Sequence, residues 1–119
     1  MLQEYQNSIA LLTNVVNKEL YTQLVQQLNK DVGLVSLDTV FNTASTPIEL
    51  KDKLQETVKD LLLNNTDSYY NLLYRIDVSE TSLKSINSST IDTYAEAITF
   101  LILKRIWQKV YYKNKFSKF

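Results

Sequence analysis

Leu2, Tyr5, Ile9, Leu12 and Val16 recur at alternating spacings of three and four, the period of one apolar stripe on a helix. The stripe resumes at Leu20, Leu24 and Leu28, displaced by one position, with Asn14 and Asn17 beside the displacement. Residues 2–32 therefore fit either one long helix that shifts its buried face or two helices that meet at a kink. Gly33 is well placed to stop the second stretch in a left-handed conformation. Leu34, Val35, Leu37, Val40 and Phe41 then make residues 34–45 too apolar for a solvated linker. Asp38 is placed to cap a short helical turn that packs Val40 and Phe41 onto the core.

The next start is sharper. Thr46 fits an N-cap, Pro47 the first helical position, and Glu49 the third position of a capping box. Leu50, Leu54, Val58, Leu61 and Leu62 form the stripe behind it, with Glu49, Asp52, Lys53, Glu56, Lys59 and Asp60 on the other side. The helix is expected to stop near Asn64 and Asn65. Thr66 or Asp67 then caps a helix bearing Tyr69, Tyr70, Leu72, Leu73, Tyr74 and Ile76. Ser79 caps a short helix from Glu80 to about Ile86, with Val78 and Leu83 at the two positions of a hydrophobic staple.

A polar run, residues 87–90, leads into a last helix expected from about Ile91 to Lys113. Tyr94, Ile98, Leu101 and Ile102 lie on one of its sides, and Phe100, Leu103, Ile106, Trp107 and Val110 on nearly the opposite one. A helix apolar on two sides is normally enclosed by protein. It is therefore either the central helix of the bundle or a helix with one face against another subunit. The pattern as a whole predicts an all-α fold: one domain over residues 1–119, a compact multihelical bundle of about five helices with the C-terminal helix central.

Composition removes several chemistries. One Gly and one Pro exclude glycine-rich phosphate loops and disfavour turn-dense β folds. With neither Cys nor His, disulfides, thiolate nucleophiles, zinc-finger sites and His general-base catalysis are excluded. At 45% apolar residues the chain has enough to build a core without such staples. The most apolar window, residues 95–103, is too short to cross a bilayer and ends at Lys104 and Arg105, so no membrane association is expected. No basic segment precedes an apolar run near residue 1, and the expected setting is cytoplasmic.

Charge is unevenly spread although it sums to zero. Residues 1–103 carry seven Lys/Arg against thirteen Asp/Glu, and residues 104–119 carry six Lys/Arg with no acid. Lys104, Arg105, Lys109, Lys113 and Lys115 either complement the negative end of a helix dipole or form a contact for a polyanion. Tyr111, Tyr112, Phe116 and Phe119 interleave with these cations, as aromatics do where single-stranded bases stack.

Three clusters hold residue types capable of chemistry. Asp52, Glu56 and Asp60 share one helix face, but Lys53 and Lys59 interrupt them, and a metal site needs ligands converging from several elements; a solvated face explains them better. Arg75, Asp77 and Glu80 offer an anion grip with an acid or base beside it. Helix capping by Ser79 and pairing of Arg75 with a nearby carboxylate explain more. Tyr69, Tyr70 and Tyr74 form either a recognition patch or core residues with wet hydroxyls, the core reading being favoured. No catalytic, cofactor-binding or metal-ligating residue is assigned.

The string Leu-Tyr-Arg-Ile-Asp-Val-Ser-Glu at 73–80, followed by the apolar-then-basic terminal helix, resembles a group of small all-helical bacterial proteins with a Tyr-Arg-Ile-Asp segment before a long C-terminal helix. The resemblance covers about the last fifty residues. It implies an all-α fold and a bacterial, cytoplasmic setting, and it brings no activity and no functional residue. The expectation is thus a non-enzymatic interaction or structural domain without cofactor. It would self-associate or dock a protein partner through Phe100, Leu103, Trp107, Val110 and Tyr111. The alternative is a nucleic-acid-binding protein that uses the basic segment 104–119.

Overall fold

The first apolar stripe is broken at residues 18–20, and two helices result, α1 (Ser8–Asn17) and α2 (Tyr21–Leu34). The computed structural model describes residues 4–35 and 37–116; the expected stripe position at Leu2 lies outside them. Asn7 caps α1, its side chain accepting from the Ala10 N–H at 2.8 Å. α1 closes on Glu19 in the left-handed region, φ 60°. The Leu20 N–H donates to the Val15 carbonyl at 3.1 Å and the Glu19 N–H to the Val16 carbonyl at 3.0 Å, a Schellman closure. Its buried face is Leu11, Leu12 and Val15; Val16, expected in the stripe, points largely to solvent.

Gly33 does not stop α2. It lies inside the helix with no positive φ, and the helix runs one residue further to Leu34. Nor do residues 37–42 form the expected helical turn. Phe41 is buried by another device: the Asn29 side chain clasps its backbone. Asn29 Nδ2 donates to the Phe41 carbonyl, and the Phe41 N–H donates to Asn29 Oδ1, both at 2.8 Å. Val40 stays exposed. The Tyr21 hydroxyl donates to the Ser45 carbonyl at 2.7 Å, tying the end of this loop to α2.

α3 (Pro47–Asn64) begins with the expected capping box. The Glu49 N–H donates to Thr46 Oγ1 at 3.2 Å, and the Thr46 N–H donates to Glu49 Oε1 at 2.8 Å. Asn65, rather than Thr66 or Asp67, caps α4 (Thr66–Ile76) by accepting from the Ser68 N–H at 3.2 Å. α4 closes as α1 does. Asp77 adopts φ 69°, and Val78 N–H reaches the Leu73 carbonyl at 3.1 Å. Ser79 caps α5 (Glu80–Lys84), shorter than expected, with Val78 and Leu83 packed against the core.

α6 (Ile91–Phe116) starts at Thr90, whose hydroxyl accepts from the Thr93 N–H at 3.1 Å. At about 1.5 Å per residue it spans roughly 39 Å, which accounts for most of the 42 Å long axis of the molecule. It packs against α1, α2, α3 and α4 and is the axle of the bundle. Ala95, Ile98, Thr99, Ile102, Leu103, Ile106, Trp107 and Val110 are buried on it, which spans both sides foreseen as apolar. The buried Thr99 hydroxyl is satisfied by the Ala95 carbonyl at 2.8 Å. Six helices and no strand occur among the described residues, and none of these helices is long and apolar enough to cross a membrane.

Candidate functional site

Asp31 is the most unusual residue of the fold. It sits in the apolar register of α2, after Leu24 and Leu28 and beside Val32, and is only 1% exposed. A lone buried carboxylate is costly, and this one is met from three directions. Lys109 of α6 brings Nζ to 2.8 Å from Oδ2. Arg75 of α4 brings Nε to 3.4 Å from Oδ1, and Gln27, one turn back on α2, places Nε2 at 3.4 Å from the same oxygen. The triad ties α2, α4 and α6 together.

Arg75 faces outward from this buried anchor. Its side chain is 44% exposed and lines an open groove of about 490 Å³ with Leu34, Val35, Asn71 and Tyr74. Leu34 is 57% and Tyr74 89% exposed, and Tyr70, one turn before Tyr74, is also exposed. Of the tyrosine cluster only Tyr69 belongs to the core; burial, with Tyr94 adding to it, raises its pKa well above the usual tyrosine value. The core reading therefore fails for Tyr70 and Tyr74. Arg75 pairs neither with Asp77 nor with Glu80: Asp77 is taken by Arg105 at 3.3 Å.

The residues expected at a partner interface on α6 divide. Leu103, Trp107 and Val110 are buried by the chain's own helices, and only Phe100 and Tyr111 keep partial exposure. The basic segment divides too. Lys104 pairs with Glu4 at 3.2 Å, Arg105 with Asp77, and Lys109 with Asp31. The cationic helix thus meets the acidic body of the chain, and much of the charge asymmetry is answered internally. Lys113 and Lys115 remain exposed and without an ion pair among the described residues, beside a stacked pair of rings, Tyr112 and Phe116, with centroids 6.1 Å apart. Lys115 also lies over the Tyr111 and Phe116 rings.

A concavity of about 730 Å³ lies at the start of α1 and is lined by Ser8, Ile9, Lys51, Thr93, Glu96 and Phe100 among others. Its charged lining residues are one cation, Lys51, and one anion, Glu96. The Ser8 hydroxyl, which has no hydrogen-bond partner among the described residues, is sealed from solvent and so does not open into it. Asp52, Glu56 and Asp60 do not assemble a metal site: among the described residues no three acidic groups are placed to hold an ion. Asp52 reaches Lys51 at 3.5 Å and Asp60 accepts from Asn64 at 2.8 Å. Asp31 was absent from the residues singled out by sequence, although a signal existed: an acid seven positions after Leu24 and three after Leu28 occupies a core register. Compared with protein-family models, with curated proteins and with solved structures, the chain matches none.

Proposed function

We propose that this chain is a non-enzymatic protein-interaction domain that docks a partner at the groove between the end of α2 and α4. The observation that carries the reading is the pair Leu34 and Tyr74, large side chains that stand in solvent and line the same groove as Arg75. Exposed aromatics grouped with an arginine are the side chains that dominate binding energy at protein interfaces. The triad beneath supports the same reading, because it braces both helices that form the groove. α6 needs no second copy to cover its apolar flanks, so the expected partner is another protein and the expected state of the free chain is monomeric.

The test places a photocrosslinking residue at position 74 and, as control, at position 63, another exposed apolar site on a different helix. Capture of a defined protein from position 74 alone is expected. That protein, purified, is expected to bind the intact chain and to lose about tenfold or more in affinity against Tyr74→Ala or Leu34→Ala. Binding that ignores both substitutions overturns the reading.

A second reading, nucleic-acid binding, draws support from the tip of α6, where Tyr112, Phe116, Lys113 and Lys115 offer stacking faces beside cations. It predicts single-strand binding that weakens with salt and with Lys113→Ala and Lys115→Ala. Lys109 is not a contact in this reading because it serves Asp31.

A further inference from the structure

Asp31 is already answered without Arg75. Lys109 holds Oδ2 in a short, charge-assisted contact of 2.8 Å, and Gln27 contributes at Oδ1. The Arg75 contact is looser, 3.4 Å through Nε, and makes no hydrogen bond with any described residue. A guanidinium has five N–H donors in a rigid plane. Here one edge is steered by a buried anion while the terminal nitrogens keep their donors. The cluster holds two cations and one anion, so one positive charge is uncompensated, and Arg75 is its more exposed cation. An arginine oriented by a carboxylate behind it has less side-chain freedom to lose when it meets a second one in front.

We infer that the groove reads an acidic side chain: Arg75 receives the carboxylate of an Asp or Glu within a partner's peptide chain, while Leu34 and Tyr74 receive apolar neighbours on either side of it. The inference rests on the docking reading above and names its chemistry. The charge selects the ligand. One surplus positive charge matches a carboxylate, whereas a phosphate carries nearly twice the charge and is usually met by clustered arginines. The shape selects an internal acid over a chain end. The groove is open, so a chain passes through it, and Leu34, Val35 and the Tyr74 ring line it beside Arg75 and Asn71.

The experiment is an NMR titration of the full chain, isotope-labelled, with three peptides. The first is acetyl-Gly-Leu-Glu-Leu-Gly-amide. The second replaces Glu by Gln. The third keeps Gln and leaves the terminal carboxylate free. The Glu peptide is expected to shift the signals of Asn71, Tyr74 and the Arg75 Nε–H, and to bind about tenfold more tightly than its Gln twin. The gap is expected to shrink in about 1 M salt. Arg75→Gln is expected to abolish the preference, and Arg75→Lys to keep part of it by charge alone; unfolding curves confirm that both variants fold. Equal binding of the Glu and Gln peptides, still lost with Tyr74→Ala, overturns the carboxylate inference and leaves the groove a docking site. Tightest binding of the free-carboxylate peptide overturns it in favour of a chain end. No shift at the groove with any peptide overturns both the inference and the docking reading.

Discussion

Asp31 and Lys109 are separated by 78 positions in the chain, yet their side chains meet at 2.8 Å, the carboxylate 1% exposed and the lysine nearly covered. The contact joins the end of α2 to the axle helix at a place where hydrophobic packing alone would accept a leucine. A buried ion pair is not by itself strong evidence of stabilisation, because desolvation of the two charges offsets their attraction. What such a pair does enforce is register. α6 cannot rotate or slide against α2 without stranding Asp31.

The first prediction follows from the unequal burial of the partners. Lys109→Met leaves Asp31 inside the protein with only the looser Arg75 contact and is expected to cost about 2–3 kcal/mol. Asp31→Leu leaves two cations that both reach water, and is expected to cost no more than about 1 kcal/mol. The double substitution recovers most of the loss of Lys109→Met. Urea unfolding of the three variants checks the order; a larger loss for Asp31→Leu than for Lys109→Met refutes the account.

The capping box gives a pH dependence with a definite sign. The Thr46 backbone N–H and then its hydroxyl hold the Glu49 pKa below its ordinary value of 4.5. A depressed carboxylate contributes stability above its unfolded pKa, and that contribution is lost as pH falls through the lower, folded value. Glu49→Gln is therefore expected to be less stable than the native chain near neutrality. The gap is expected to close as pH falls below the ordinary value of 4.5. Chemical denaturation on either side of that value is the measurement. A gap that widens on acidification contradicts the cap.

Much of the fold was legible because the helices announce themselves locally. Thr46, Pro47 and Glu49 satisfy orphan backbone groups within three residues of one another, so the start of α3 can be read without knowing anything else. The two-sided pattern of α6 similarly dictates a central position. The closures of α1 and α4 could not be read this way. Both use the left-handed conformation that glycine favours, yet Glu19 and Asp77 occupy it, and the one glycine sits inside a helix. The site was hidden for another reason. Asp31 looks like any polar residue of α2 until Lys109 and Arg75, remote in sequence, arrive beside it. Phe41 is likewise secured by Asn29 across twelve positions, not by a local turn.

Tyr69 gives a test at the alkaline end. Burial is the main cause of its raised pKa, and Tyr94 adds to it. The neutral phenol is thus the form the fold accepts. Its contribution is complete below the unfolded value near 10 and declines as pH rises from there toward the folded value. Tyr69→Phe is expected to lose no more than about 1 kcal/mol near neutrality. That deficit shrinks above pH 10, where the native chain alone must keep a phenol protonated. A deficit that stays constant with alkalinity would place the Tyr69 hydroxyl in water.

Trp107 reports on whether α6 is enclosed by its own chain. It is the only tryptophan and is 2% exposed. Its fluorescence is expected to be blue-shifted and protected from acrylamide and iodide in dilute, monomeric protein. Trp107→Ala removes a large buried side chain and is expected to cost about 3–5 kcal/mol. Trp107→Phe is expected to cost less than about 1.5 kcal/mol, because the indole N–H has no hydrogen-bond partner among the described residues to lose. Quenching that appears only on dilution would mean that a second copy supplies the cover.

The misplaced glycine supplies the last test, because backbone conformation predicts gains here rather than losses. Gly33 has helical backbone, and a Cβ added there meets no atom within 4 Å. Gly33→Ala therefore removes unfolded-state entropy at no steric cost and is expected to stabilise by about 0.5–1 kcal/mol, toward the low end because the last turn of α2 frays. Glu19 is the converse. At φ 60° its Cβ crowds the backbone, which costs about 1–2 kcal/mol, and glycine there relieves the strain while giving back part of the gain as chain entropy. Glu19→Gly is expected to stabilise by about 0.5 kcal/mol net. The same substitutions exchanged, Gly33 kept and Glu19→Ala, relieve nothing and are expected to leave the melting temperature unchanged or lower. A stabilised Glu19→Ala would mean that α1 does not close through a left-handed residue at position 19, and a destabilised Gly33→Ala would mean that α2 closes on Gly33 in that conformation.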